Sequence, residues 1–193
     1  IPHFCFDNTY AERPNFEGAK WIMSPPLREQ SNQKALWDGL RMGLIDTVAT
    51  DHCPFDLEQK AMGRDAFTAI PNGIPAIGDR VNMLYTYGVS RGELSLNRFV
   101  ESASTKAAEI FGLTQKGRIA VGADADLVVF DPSYRGVVTM EGHHVNNDYS
   151  GFEGFEQDGK ATDVTVRGQL AIRDGVFVGD TGRGRLIRRK PTY

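Results

Sequence analysis

The chain has 193 residues, with 22 Lys plus Arg against 25 Asp plus Glu and a formal net charge of −3, so nothing marks it as a polyanion binder and nucleic acid is not an expected partner. Its 40% hydrophobic and 24% charged residues are those of a globular protein, and no apolar run reaches the ~18 residues of a membrane-spanning helix. Two cysteines, Cys5 and Cys53, allow at most one bridge, which excludes a disulfide scaffold and predicts a reducing, cytoplasmic home. Ile1 is followed by neither a basic nor a leucine-rich leader segment, so the expectation is no signal peptide and a chain truncated at its front.

Along the chain, K-W-I-M-S at residues 20–24 is a short apolar run stopped by Pro25 and Pro26, which predicts a strand ending in a loop. Ala35, Leu36, Trp37 and Leu40 give residues 33–42 one apolar stripe of a helix, and Gly43 supplies its stop. I-D-T-V-A-T at residues 45–50 is β-branched and nearly uncharged, the pattern of a strand covered on both faces, with Asp51 at its C-terminal end. Strand, loop, helix and strand in that order make a βαβ unit with two parallel neighbours.

Residues 54–80 are rich in Pro and Gly around one short polar segment at 56–62, which predicts a long structured loop. Helical periodicity returns at residues 81–89 and is strong at 95–111, where Leu96, Phe99, Val100, Ala103, Ala107 and Phe111 recur; Ser95 is the expected cap and Gly112 the stop. Beyond Gly112 short β runs alternate with Gly, Asp and Pro. T-D-V-T-V-R-G and A-I-R-D-G-V-F-V form a hairpin pattern with turns at Arg167-Gly168 and Asp174-Gly175. The basic tail at residues 183–190 is expected to be solvated or to contact another subunit.

The stretch with most chemistry is A-T-D-H-C-P-F at residues 49–55. A carboxylate where a buried strand opens into a loop sits at the rim where barrels and doubly wound sheets keep their reacting groups, although Asp is also a common turn-former. Adjacent strand positions point to opposite faces, so Asp51, His52 and Cys53 cannot all meet one ion. His52 is expected to be a hydrogen-bonded structural residue and Cys53 a small filler. Ser24 falls at the other strand end, one βα unit earlier, and P-N-G-I-P at residues 71–75 offers a tightly turned main chain to a planar amide ligand. H-H-V-N-N-D-Y at residues 143–149 lacks the helical two-His spacing of a zincin and is taken as structural.

Five motifs occur together in order: W-I-M-S-P-P-L-R (21–28), D-T-V-A-T-D-H-C-P-F (46–55), P-N-G-I-P (71–75), G-x-I-x-V-G-x-D-A-D-L-V-V-F-D-P (117–132) and D-Y-S-x-F-E-G (148–154). In this the chain resembles the hydantoinase and dihydropyrimidinase family of cyclic amidohydrolases over nearly its whole length. The resemblance implies an α/β fold: the C-terminal part of a (β/α)8 TIM barrel plus part of a small β-sandwich. Residues 1–112 would be the last βα units with their substrate loops, 113–182 the sandwich part and 183–193 a basic tail. It implies a site with two divalent metal ions, usually zinc, in which Asp51 is both a metal ligand and the catalytic proton shuttle. Ser24 and Asn72 would offer main-chain atoms to the cyclic imide. A metal-held hydroxide would attack the ring amide carbon, and Asp51 would accept its proton and return it to the leaving nitrogen.

The family's H-x-H pair, carboxylated Lys and two further His precede this segment, and the only His in residues 1–50 is His3. Ala76 and Gly78 stand where the family commonly has Gly and Glu, a departure in the substrate loop. A barrel of this type takes roughly 250 residues, and about two βα units fit before Gly112, so the segment alone is expected to be inactive and to need the remainder of its own chain. The implied partners are a small cyclic ureide, as in pyrimidine degradation, and a second copy in a homodimer or homotetramer. Two other readings stand beside this one. Collapsin response mediator proteins share the fold and lack the metal ligands, but they replace the Asp that is intact here as Asp51. Allantoinases and dihydroorotases usually differ from Cys53-Pro54-Phe55 after the D-H pair.

Overall fold

The computed structural model describes residues 1–190. Two short helices open the chain, α1 (Pro2–Cys5) and α2 (Asn8–Ala11), the second capped by Asp7, whose carboxylate accepts from the Thr9 amide at 2.9 Å. The strand expected at residues 20–24 does not form. Glu17–Trp21 is a 3₁₀ helix, and beyond it Ile22 is extended between buried Trp21 and Met23 without a ladder. The reason lies in its carbonyl, which accepts from the Gly73 amide at 2.9 Å and from the Lys60 ammonium at 3.2 Å in place of a neighbouring strand.

Helix α3 (Ser31–Arg41) starts two residues before the predicted segment, buries Trp37, Gly39 and Leu40, and ends at Gly43 with φ of 79°. Residues 45–50 correct the second strand expectation. The segment has no ladder, and Val48 is its one fully buried residue, so it is not covered on both faces. Side chains and helices hold its polar groups. Arg98 donates to the Ile45 carbonyl and, at 2.7 Å, to that of Leu40; Arg80 donates to the Val48 carbonyl at 3.1 Å; the Val48 amide donates to Ser102 at 3.3 Å. The parallel pairing present among the described residues is a single bridge between His52 and Ile74, in place of the two parallel neighbours expected of a βαβ unit.

The long loop carries α4 (Leu57–Lys60) and two 3₁₀ turns, Ala61–Gly63 and Phe67–Ala69. Helix α5 (Arg80–Leu84) continues as a π-helical run, Tyr85–Ser90. The helix predicted over 95–111 is likewise one run in three pieces, α6 (Leu96–Val100), a π segment Glu101–Thr105 and α7 (Lys106–Ile110), capped by Ser95 and stopped at Gly112 with φ of 65°. Its predicted stripe is only partly inward. Phe99, Ser102 and Ala108 are buried while Leu96, Val100 and Phe111 stay exposed, and the wide π turn shifts the phase between α6 and α7.

Strands β1 (Leu127–Val137), β2 (Glu156–Val166), β3 (Gln169–Arg173) and β4 (Val176–Phe177) form one antiparallel sheet in that order. Both turn dipeptides are where the sequence puts them. Arg167 and Gly168 (φ of 50° and 74°) join β2 to β3, and Asp174 and Gly175 (51° and 78°) join β3 to β4, the two-positive-φ geometry whose twist suits a hairpin. Pro132 lies on edge strand β1 within the register break between Asp131 and Arg135, where no ladder amide is required. The run at residues 118–121, upstream of β1, is not a strand, and Ile119 and Val121 are exposed. Among the described residues the β region is a single sheet, without the second layer of a sandwich. The tail is irregular and its Lys190 amide donates to Gly112 at 3.1 Å; residues 191–193 of the predicted tail lie outside the described residues.

The core is aromatic. Phe6 packs against Phe152 with ring centroids 4.5 Å apart and against Phe155 at 5.3 Å. Tyr85 reaches Phe130 of β1 at 4.7 Å and Phe99 at 5.8 Å, joining the helices to the sheet. Thr86 adds a polar tie, its hydroxyl accepting from the Asp158 amide at 3.0 Å.

His143 has the structural role expected of its segment. Its Nε2 lies 3.2 Å from Oδ1 of buried Asp79, whose other oxygen accepts from the Ser150 hydroxyl at 2.7 Å. The hydrogen bond to the Asp79 carboxylate holds the His143 pKa above its ordinary value, with Glu153 adding a smaller pull in the same direction. A raised folded pKa favours the protonated, folded form, so this stabilisation is complete below the unfolded value of about 6.5 and is lost as pH rises through the folded one. The expected result is a melting temperature of the complete protein that falls with rising pH above that value. The same scan on His143→Gln lacks this component, and an unchanged pH dependence in the variant rejects it.

Candidate active site

The site is built on a hydrogen-bonded seam that joins three loops. The Gly73 amide donates to Ile22 at 2.9 Å and the Cys53 amide donates to Ile74 at 3.2 Å, so residues 73 and 74 lie between the ends of the two extended segments. Ser24 follows Ile22 by two positions, Asn72 precedes Gly73, and Asp51 precedes His52, which bridges to Ile74. All three residues singled out from the sequence therefore stand within two positions of one seam, and all three are exposed. Asp51 sits at φ of 49°, a left-handed conformation that Asp tolerates better than most residues. No hydrogen bond reaches its carboxylate among the described residues. Ser24 leads into Pro25 through a cis peptide bond.

His52 is a fastener. Its Nδ1 accepts from the Ala76 amide at 3.1 Å and the Ile77 amide at 3.3 Å, which pins the far end of the P-N-G-I-P turn. Burial lowers its pKa, consistent with a neutral ring accepting at Nδ1. Cys53 is half-buried rather than the buried filler expected, and it packs so closely that a Cβ on Gly73, whose φ is 142°, would lie 2.2 Å from its Cβ. Only glycine meets both the conformation and the approach.

Sequence reasoning missed Lys60. It lies in a polar stretch that looks like a solvated surface turn, yet it is 1% exposed. Its ammonium donates to the carbonyls of Gly73 at 2.6 Å, Pro71 at 2.7 Å and Ile22 at 3.2 Å. Burial pushes its pKa down to about 8. No signal in the residues around it separates it from an exposed lysine.

Among the described residues no three His, Cys, Asp or Glu side chains gather closely enough to hold an ion. His52 has Nδ1 already engaged, which leaves Asp51 as a single unpaired carboxylate. Residues 1–190 alone do not fit a metal centre.

The three loops thus converge where the extended segments end, in an α/β chain, with the exposed Asp51 carboxylate on one of them. The chain belongs to the amidohydrolase family: the profile described as "Amidohydrolase family" matches residues 1–171, and that family is one of metal-dependent hydrolases. It is 48% identical over 189 residues to a D-hydantoinase of Geobacillus stearothermophilus, covering 97% of this chain and 40% of that protein. A D-hydantoinase (dihydropyrimidinase) structure from a Thermus species superposes with a TM-score of 0.97 at 67% identity, over 100% of this chain and 42% of that one. An L-hydantoinase (dihydropyrimidinase) from Arthrobacter aurescens gives 0.85 at 30% identity, over 95% and 41%. The chain thus spans about two fifths of the length of these relatives. No helix among the described residues is long and apolar enough to cross a membrane.

Proposed function

We propose that this chain is the C-terminal part of a metal-dependent cyclic amidohydrolase that opens the ring amide of hydantoins or dihydropyrimidines to N-carbamoyl amino acids. The observation that carries the proposal is the seam, which gathers the exposed carboxylate Asp51 and the main chain around Ser24 and Asn72. A cyclic ureide is a planar ring of alternating N–H and C=O groups, and main-chain amides and carbonyls at Ser24 and Asn72 are complementary to it without needing a charged partner. Asp51 is the group that takes a proton from the attacking water and returns it to the leaving ring nitrogen, one carboxylate serving both directions. It is also the one ligand this chain contributes to a pair of divalent ions, zinc in this reading, whose other holders lie outside it. The 67% identity to a D-hydantoinase against 30% to an L-hydantoinase favours D-enantiomers of 5-substituted hydantoins.

The same proposal divides the chain into barrel units with substrate loops (residues 1–112), part of a β-sandwich (113–182) and a tail (183–193). It places the complete protein in a homodimer or homotetramer. Cys5 and Cys53 are both free thiols, which suits a reducing, cytoplasmic compartment. The direct test supplies the complete protein with hydantoin, a 5-substituted hydantoin and dihydrouracil and follows N-carbamoyl product by mass spectrometry. Ring opening of at least one is the expected result, and no product from any of the three rejects the assignment.

A further inference from the structure

We propose that Lys60 is a positioning residue for ring recognition, holding the backbone of Ser24 and Asn72 in fixed relation to each other. The inference rests on the ureide reading above. Recognition by main-chain atoms carries no side-chain identity, so its accuracy depends on whatever holds the backbone. Here that holder is visible. An ammonium has three hydrogens, and Lys60 directs them at three carbonyls: Pro71 and Gly73, which flank Asn72 on both sides, and Ile22, two positions before Ser24. One side chain therefore ties both recognition loops to α4, reinforced by the Gly73 amide on the same Ile22 carbonyl.

The burial of this charge points the same way. At 1% exposure a lysine ordinarily needs a carboxylate partner, and no salt bridge reaches Lys60 among the described residues. The carbonyl dipoles take that place, so the ammonium and the geometry of the three carbonyls depend on one another. A neutral side chain of similar length removes the donor from the Pro71 and Gly73 carbonyls and leaves the Gly73 amide to hold the Ile22 carbonyl without the ammonium, which loosens the relation between the two loops.

The test uses steady-state kinetics of the complete protein on hydantoin and dihydrouracil, with bound metal and melting temperature measured on each variant. For Lys60→Met, folded and with wild-type metal content, KM is expected to rise about 10- to 100-fold while kcat stays within about threefold, the signature of misplaced ground-state contacts. Lys60→Arg keeps a charge and several donors, and its KM is expected to fall between those of wild type and Lys60→Met. A folded Lys60→Met with wild-type KM overturns the proposal, as does one that loses kcat at unchanged KM. Should Lys60→Met not fold, Lys60→Arg decides: a raised KM at preserved kcat supports positioning, and a lowered melting temperature at wild-type KM makes the residue structural only. A wild-type protein that opens neither ring overturns the ureide reading and this inference with it, whereas an active wild type with kinetically unaffected Lys60 variants overturns the inference alone.

Discussion

Asp51→Asn in the complete protein is expected to abolish ring opening, a loss of about 10²–10⁴-fold from the missing proton shuttle alone. The fold is expected to survive, for two reasons visible in the structure. The carboxylate is exposed and accepts no hydrogen bond among the described residues, so no internal contact goes with it. The backbone at φ of 49° is a conformation that Asn adopts as readily as Asp, so the substitution adds no strain. Asp51→Ala is a poorer probe, because it changes the backbone preference together with the chemistry. The measurement is turnover of hydantoin and dihydrouracil beside a thermal melt. Retained hydrolysis removes Asp51 from the mechanism; lost hydrolysis with a collapsed melt makes it structural.

The second large effect concerns metal. Residues 1–193 prepared alone are expected to retain less than one divalent ion per chain after dialysis, and the complete protein is expected to retain a pair. A structural zinc site needs about four protein donors and a catalytic one about three. No cluster of three His, Cys, Asp or Glu exists among the described residues, and two amides occupy Nδ1 of His52 beside Asp51. Elemental analysis of both preparations checks it. Two tightly held ions in the shorter one refute the expectation and require ligands assembled from this chain or from a second copy of it.

The features legible in the sequence are those set by local chemistry. Arg167-Gly168 and Asp174-Gly175 mark hairpin turns because their backbone must take positive φ, and Ser95 and Gly112 bracket a helix because a hydroxyl satisfies a free amide and glycine reverses the chain. The placement of the candidate residues was legible for a related reason, since Ser24, Asp51 and Asn72 stand at the segment ends and turn that the pattern locates. What the pattern did not carry is pairing. Residues 20–24 and 45–50 have strand composition, but a strand is made by its neighbour, and here Lys60, Arg80 and Arg98 take the carbonyls that a ladder would use. A helical period likewise gives no warning of a π turn such as Glu101–Thr105, nor that Leu96, Val100 and Phe111 of the apolar stripe stay exposed. Lys60 was invisible because its importance lies in what surrounds it.

The rings of Tyr85, Phe99 and Phe130 interlock across the junction between helices and sheet, and a Cβ on Gly159 would lie 2.5 Å from the Phe130 ring. Separating helices from sheet would expose the faces these rings bury against one another, so two regions distinct in connectivity are joined by packing. The helical run that carries Tyr85 begins at Arg80, which holds the Val48 carbonyl three residues before Asp51, so the packing against the sheet and the segment leading to Asp51 share one element.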